Sequence, residues 1–103
     1  MMKTVTITEI LDDLRSAEEI VRQFERQYWL SSADFHNLYQ QGLLDNGENL
    51  EDFTLWSSFY QIKQLREKQL QQLSQQRLAQ LPRRNNLHIL NIPEPVLTLP
   101  IGS

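Results

Sequence analysis

Few residues of this chain belong to the types that carry out catalysis, and those few are far apart. The 103-residue sequence contains no cysteine and two histidines, His36 and His88. Thiol and disulfide chemistry are therefore excluded, and two distant histidines do not assemble a zinc-type ligand cluster. The serine pairs at 31–32 and 57–58 lack a histidine and a carboxylate at a spacing typical of a catalytic triad. We predict no catalytic residue, no metal site and no enzyme activity.

Phosphate binding and acid–base chemistry are also poorly represented. The three glycines, Gly42, Gly47 and Gly102, stand in turn or terminal contexts and form no glycine-rich phosphate loop. The acidic pairs at 12–13 and 18–19 fall off the apolar stripe of a predicted helix, so we interpret them as a solvated face. No nucleotide or other cofactor is expected.

Charge is divided unevenly between the two halves of the sequence. The net charge is -3, but residues 1–60 carry four basic and eleven acidic side chains, whereas residues 61–103 carry six and two. The halves can attract each other, hold a charged protein partner, or direct the basic half to nucleic acid. The candidate nucleic-acid contacts are the basic residues of the second half, Lys63, Arg66, Lys68, Arg77, Arg83 and Arg84. They are sparser than the basic patch of a dedicated nucleic-acid-binding domain.

The sequence also predicts where the protein works. Its first ten residues hold one lysine and no apolar run of signal-peptide length, and no run approaches the ~20 apolar residues of a membrane span. We therefore expect a cytoplasmic protein without membrane contact.

Three helices are predicted to position these residues, at about 6–29, 32–41 and 50–81, which makes the fold mainly α. A capping box from Thr6 to Glu9 opens the first helix. Its apolar residues recur at steps of three and four, as Ile10, Leu14, Ala17, Val21, Phe24 and Tyr28.

Polar and glycine residues mark the bounds of the other two helices. Ser31 or Ser32 is the expected cap of the second helix, and Gly42 supplies the left-handed residue that ends it. Asn49 is the expected cap of the third.

The aromatic residues locate the core. All nine lie between Phe24 and Tyr60, so residues 1–62 are predicted to form the helical core, with Trp29 and Trp56 as anchors. A helix over 50–81 would be ~48 Å long, whereas a domain of this size is about 30 Å across, so a helical extension over 63–81 should protrude. Its leucines either pack back on the first helix or line a dimer or partner groove; they are Leu70, Leu73, Leu78 and Leu81.

Residues 82–103 form an apolar arm that contains proline. Its sequence "LHILNIPEPVLTLPIGS" combines eight large aliphatic residues with three prolines, which exclude a helix and favour an extended chain. The gain from burying the aliphatic residues nearly cancels the cost of ordering the backbone, so the arm should order only against an existing surface. That surface is either the chain's own helices or a partner, and we favour the partner. The arm residues assigned to partner binding are Leu87, Ile89, Ile92, Val96, Leu97 and Leu99.

The central part of the sequence resembles a family of small bacterial antitoxins. The pattern begins with F-E-x-x-Y and continues with a serine-capped short helix that contains a phenylalanine. A glycine follows, and then an acidic stretch that ends in W-x-x-x-Y. The corresponding residues here are Phe24, Glu25, Tyr28, Ser32, Phe35, Gly42, Asp52, Trp56 and Tyr60. The pattern is similar to antitoxin components of the TumA type. This resemblance implies a co-encoded protein partner, such as a toxin. The opening "MKTVTITEI" also resembles Phd/YefM-type antitoxins, in which a short strand precedes a helix, and this implies an extended segment from Thr4 to Ile7.

The sequence thus supports two hypotheses of different classes. The first is a non-enzymatic, antitoxin-like module that covers a partner protein with its long helix and C-terminal arm. The second is a self-associating helical regulator that also binds nucleic acid through its basic half.

Overall fold

The computed structural model describes residues 2–44, 47–81 and 94–100. Their elements, in chain order, are β1 (Met2–Thr6), α1 (Ile7–Tyr28), α2 (Ser32–Gln40), α3 (Leu50–Gln80) and β2 (Val96–Pro100). The prediction of a mainly α fold with three helices and a long third one is confirmed. Of the extended segment predicted from Thr4 to Ile7, Thr4–Thr6 belong to β1, whereas Ile7 is the first residue of α1.

Local hydrogen bonds explain where two of the helices begin and end. The Glu9 N–H donates to Thr6 Oγ1 at 3.1 Å, and the Asp34 N–H donates to Ser31 Oγ at 3.1 Å, so both predicted caps form. At the end of α2, Gly42 adopts a φ of 69° and the Leu43 N–H donates to the Leu38 carbonyl at 3.1 Å. This is the Schellman arrangement that the glycine predicts.

The cap of α3 differs from the prediction. Asn49 precedes the helix, but its side chain makes no capping hydrogen bond to the backbone. The Asn49 Oδ1 atom instead accepts a hydrogen bond from the Tyr28 hydroxyl at 3.3 Å. The side chain therefore links the start of α3 to the end of α1.

An aromatic cluster holds the three helices together. It is built on Val21 of α1, Phe35 of α2, and Phe53 and Trp56 of α3, with Tyr28 and other aromatic residues packed around them. The rings of Phe35 and Trp56 stack with their centroids 3.9 Å apart. Aromatic residues of all three helices thus share one cluster, and Trp56 is its fully buried anchor.

A second, aliphatic cluster lies toward the C-terminal end of α3. Ile10 and Leu14 of α1 pack there with Val5 of β1 and Leu73 of α3. The start of α1 packs on the second half of α3, and the end of α1 packs on the first half of α3. The two helices are therefore antiparallel. The leucine extension therefore packs back on the first helix at Leu73 and, at the border of the cluster, at Leu70.

The two strands cover one side of this aliphatic cluster, and one of them, β2, comes from the C-terminal part of the chain. β1 and β2 pair antiparallel, with Val5 opposite Leu97, and Leu97 packs against the aliphatic cluster. Next to the strands, the Ile7 N–H donates to the Pro95 carbonyl at 3.3 Å and the Thr8 N–H donates to Glu94 Oε1 at 2.7 Å. The strand at 96–100 thus orders against the chain itself, although the sequence favoured a partner. The rest of the predicted arm falls mostly on residues outside those described.

The side of α3 that faces the core is different in the first and second halves of the helix. Phe53 and Trp56 face the aromatic cluster in the first half, and Leu73 faces the aliphatic one in the second. Between them, Lys63 pairs with Glu67 at 2.9 Å and Arg66 pairs with Asp13 at 2.7 Å. This explains why the apolar stripe of α3 is interrupted by charged residues in the sequence.

The described part of the chain is elongated, with extents of 57 × 34 × 20 Å. Among its helices, none is at once long enough and apolar enough to cross a membrane.

Candidate protein-interaction site

Three residues of the F-E-x-x-Y and W-x-x-x-Y pattern, Glu25, Ser32 and Trp56, form a hydrogen-bonded chain between the helices. Ser32, which begins α2, donates its hydroxyl to Glu25 Oε2 at 2.8 Å and its backbone N–H to the same oxygen at 3.0 Å. The Trp56 Nε1–H of α3 donates to Ser32 Oγ at 2.8 Å. One buried serine therefore joins all three helices. Glu25, Ser32 and Trp56 thus hold the three helices together.

A second part of the pattern connects α1 to α3. The Tyr28 hydroxyl donates to Asp52 Oδ2 at 2.6 Å. This hydrogen bond, with burial and the negative charge of Asp52 as further causes, raises the pKa of Tyr28 to about 12. Gln27 Nε2 donates to the same carboxylate oxygen at 3.2 Å. The end of α1 is thereby fixed against the first turn of α3.

The fold brings one serine near a histidine that the sequence keeps far away. Ser57 Oγ lies 3.5 Å from His36 Nδ1 and accepts a hydrogen bond from Gln61 Nε2 at 3.1 Å. Ser57 is 4% exposed. Among the described residues, no group of three or more histidine, cysteine or carboxylate side chains is placed to hold a metal ion. Ser57 of α3 and His36 of α2 thus lie against each other as packed polar residues.

The predicted nucleic-acid residues do not form one basic surface within the described chain. Arg66 and Lys63 are paired with carboxylates of the chain itself, as given above. Lys68 is exposed and Arg77 is half-buried, while Arg83 and Arg84 lie outside the described residues. The acidic and basic halves therefore attract each other across α1 and α3, at least at Asp13 and Arg66.

The predicted partner-binding residues are separated by the fold. Leu73 has no exposed surface, and Leu70 and Leu97 pack on the same cluster, so these three are used within the chain. Leu78 and Val96 are exposed, and Leu81 is half-buried. Leu99 is described only by its strand pairing with Lys3. Leu87, Ile89 and Ile92 lie outside the described residues.

Trp29 is the most exposed large apolar side chain in the described part of the molecule. It follows the last residue of α1 and is 91% exposed. Its backbone lies in the left-handed region, with φ 54° and ψ 45°, and it is the single non-glycine residue with positive φ among those described. The sequence prediction of a core anchor is wrong for Trp29. It lies one position past the apolar stripe that ends at Tyr28, and this offset is the signal that the prediction overlooked.

The surroundings of Trp29 are acidic. We call residues 25–30 and 48–52 the tryptophan end, because the Tyr28 hydrogen bonds to Asn49 and Asp52 hold these two segments together. Leu50 is also exposed there. Four carboxylates and one arginine lie in these segments, namely Glu25, Glu48, Glu51, Asp52 and Arg26. The carbonyl end of α1 adds negative potential at the same place.

Comparisons with known protein families, curated proteins and solved structures found no match to this chain. Function is therefore inferred from the residues themselves. The tryptophan end offers an exposed aromatic ring, a neighbouring leucine and an acidic border. An exposed aromatic residue and a charged border are features that protein-interaction sites share.

Proposed function

We propose that this chain is a non-enzymatic protein-binding module, of antitoxin-like function, and that it holds a co-encoded protein partner with its tryptophan end. The observation that carries the proposal is the exposure of Trp29 in a left-handed backbone conformation. The surface differs from the leucine-rich one predicted from the sequence, of which Leu70, Leu73 and Leu97 pack within the chain.

Two features of position 29 give tryptophan no advantage for the folding of the isolated chain. A left-handed conformation costs a non-glycine residue about 1–2 kcal/mol, and glycine would adopt it freely. An indole that is 91% exposed also gains little from burial in the core. Neither term favours tryptophan for folding, whereas tryptophan is among the residues that contribute most to binding when a partner buries them.

The acidic border specifies the chemistry of the partner. Glu48 and Glu51 are exposed beside Leu50, and Asp52 and Glu25 are half-buried nearby. A partner with an apolar pocket bordered by lysine or arginine would match this arrangement, and the charges would speed association more than they would tighten binding. The resemblance to TumA-type antitoxins supports the same view, because such proteins are paired with a toxin encoded beside them.

A growth assay tests this function. The protein encoded next to this chain is expressed alone and together with it, and growth is recorded. We expect arrest in the first case and recovery in the second. Recovery should be lost with Trp29→Gly and kept with Leu78→Gly, which changes an exposed residue away from the tryptophan end. Recovery that is equally strong with Trp29→Gly would contradict the assignment of the site, and absence of any arrest or rescue would contradict the antitoxin-like role.

A further inference from the structure

Helix α3 carries a second apolar surface, separate from the tryptophan end. Leu55, Ile62 and Leu65 of α3 are 49%, 39% and 53% exposed. We call them the α3 row. Neither core cluster includes them, so the fold does not require them to be apolar.

The spacing of the row is that of a helix-pairing seam. Leu55, Ile62 and Leu65 are separated by seven and then three residues, and Ser58 fills the position between the first two. Steps of three and four residues keep one face of a helix turned toward a second helix. An open depression beside the row, lined by Gln61, Gln64, Leu65 and Lys68, offers a hole for a side chain from that helix. The seam ends before Gln69, which is buried and accepts a hydrogen bond from Arg66.

Charge on the same face favours a second copy of this chain in antiparallel orientation. Glu51 continues the seam at its start, and the exposed Lys68 lies at its end. If two copies of α3 cross antiparallel with their symmetry axis near residue 60, Leu55 faces Leu65 of the other copy. Glu51 then lies near Lys68 of the other copy, and the pair occurs twice by symmetry. A parallel crossing would instead place Glu51 next to Glu51.

We propose that the α3 row is a self-association surface, through which two copies of this chain pair antiparallel along α3. The proposal goes beyond the protein-binding function and does not depend on it, since the apolar residues of the row lie outside the tryptophan end. Glu51 is the one residue assigned to both surfaces. The row covers about 15 Å of helix, and three apolar residues on each copy bury far less than a standard interface. The dimer should therefore be weak, with a dissociation constant of about 10–100 µM.

Sedimentation of the full-length chain over a range of concentrations tests the surface. We expect reversible dimerisation that Ile62→Glu weakens at least about tenfold, while Leu78→Glu leaves it unchanged. Because Ile62 and Leu78 are exposed, both variants should keep the helical signal and thermal midpoint of the parent chain, which separates lost pairing from lost folding. A strict monomer at the highest concentration, or a dimer insensitive to Ile62→Glu, overturns the proposal.

Charge exchange tests the orientation. Glu51→Lys and Lys68→Glu should each weaken the dimer by about two- to fivefold, and the double variant should restore it, because the exchanged pair again has opposite charges. Two single variants whose effects merely add in the double variant would contradict the antiparallel register.

The absence of cysteine from the sequence allows a direct test of which residues meet. Leu55→Cys and Leu65→Cys chains are oxidised separately and as a mixture. The antiparallel register predicts a disulfide dimer between the two different variants in the mixture and little dimer from either variant alone. Efficient crosslinking of each variant with itself would show that like residues face each other and would overturn the proposal.

Discussion

At the scale of single residues, the two tryptophans lie in opposite environments, one buried in the core and the other exposed at the end of α1. Trp56 is fully buried, stacks on Phe35 and donates its indole N–H to Ser32. Trp29 is almost fully exposed in a conformation that glycine prefers. The sequence placed Trp56 correctly because it lies on the apolar face of a helix. Trp29 was misplaced because composition alone, without its position relative to the stripe, assigns aromatic residues to the core.

Ser32 provides the first test at this scale. Ser32→Ala leaves the Trp56 N–H without its acceptor, which should lower the free energy of unfolding by about 1–3 kcal/mol. Glu25 Oε2 loses the hydroxyl but keeps the backbone N–H of residue 32. Ser58→Ala is the matched control, because the Ser58 hydroxyl is exposed and bonds only to the Thr54 carbonyl one turn earlier. The control should change stability by less than about 0.5 kcal/mol. Equal urea midpoints for the two variants would contradict a structural role for Ser32.

Tyr28 gives a prediction at high pH. Its pKa in the folded chain is raised from 10.0 to about 12, so the folded state favours the neutral phenol. The stability that this contributes is fully present below pH 10 and is lost as the pH rises toward 12. In an ultraviolet titration, Tyr28→Phe should remove an ionisation step near pH 12. An unchanged upper part of the titration curve would show that the hydrogen bond to Asp52 does not persist in solution.

At the scale of elements, local sequence signals predicted the helices, whereas the pairing of β1 with β2 could not be predicted from such signals. Thr6, Ser31 and Gly42 each act on backbone groups within a few residues, so they fix the helix ends directly from sequence. The pairing of Val5 with Leu97 joins residues 92 positions apart. No local pattern distinguishes a strand that pairs within its own chain from one that pairs with a partner.

Leu73 and Leu78 test the intramolecular role of the second half of α3. Leu73→Ala should lower the free energy of unfolding by about 2–5 kcal/mol, because it opens a cavity between α1, α3 and the sheet. Leu78→Ala, at a position that is 58% exposed, should change it by less than about 0.5 kcal/mol. Comparable small effects at both positions in thermal or urea unfolding would mean that α3 does not pack on α1 there.

Glu94 tests the docking of the C-terminal strand. Its hydrogen bonds with Thr8 lower the pKa of the Glu94 carboxyl below the ordinary value of 4.5. Because the folded pKa is lowered, the contact stabilises the docked strand above about pH 4.5 and is lost as the pH falls through the lowered pKa. The amide proton signal of Thr8 should shift with a midpoint below 4.5, and Glu94→Gln should abolish that shift. A Thr8 signal that does not respond to acid would place Glu94 away from the start of α1.

At the scale of the whole molecule, the charge asymmetry of the sequence has an internal use, and we propose an external one in partner binding. Part of it is neutralised where α3 crosses the start of α1, through Arg66 and Asp13. The tryptophan end keeps its acidic character and adds an apolar anchor to it. Composition could show that the halves differ in charge. It could not show which charges pair within the chain, since this depends on how α1 and α3 align.

The most direct test of the central claim is a binding measurement that reads affinity and stability on the same variant. The chain is titrated against the protein encoded next to it by calorimetry, and Trp29→Gly is compared with the parent chain. We expect Trp29→Gly to weaken binding by at least about 2 kcal/mol, as for an interface anchor. We also expect the free energy of unfolding to be unchanged or raised by up to about 1 kcal/mol, because glycine fits the left-handed conformation. Binding as tight as that of the parent chain would contradict the assignment of the tryptophan end as the partner site.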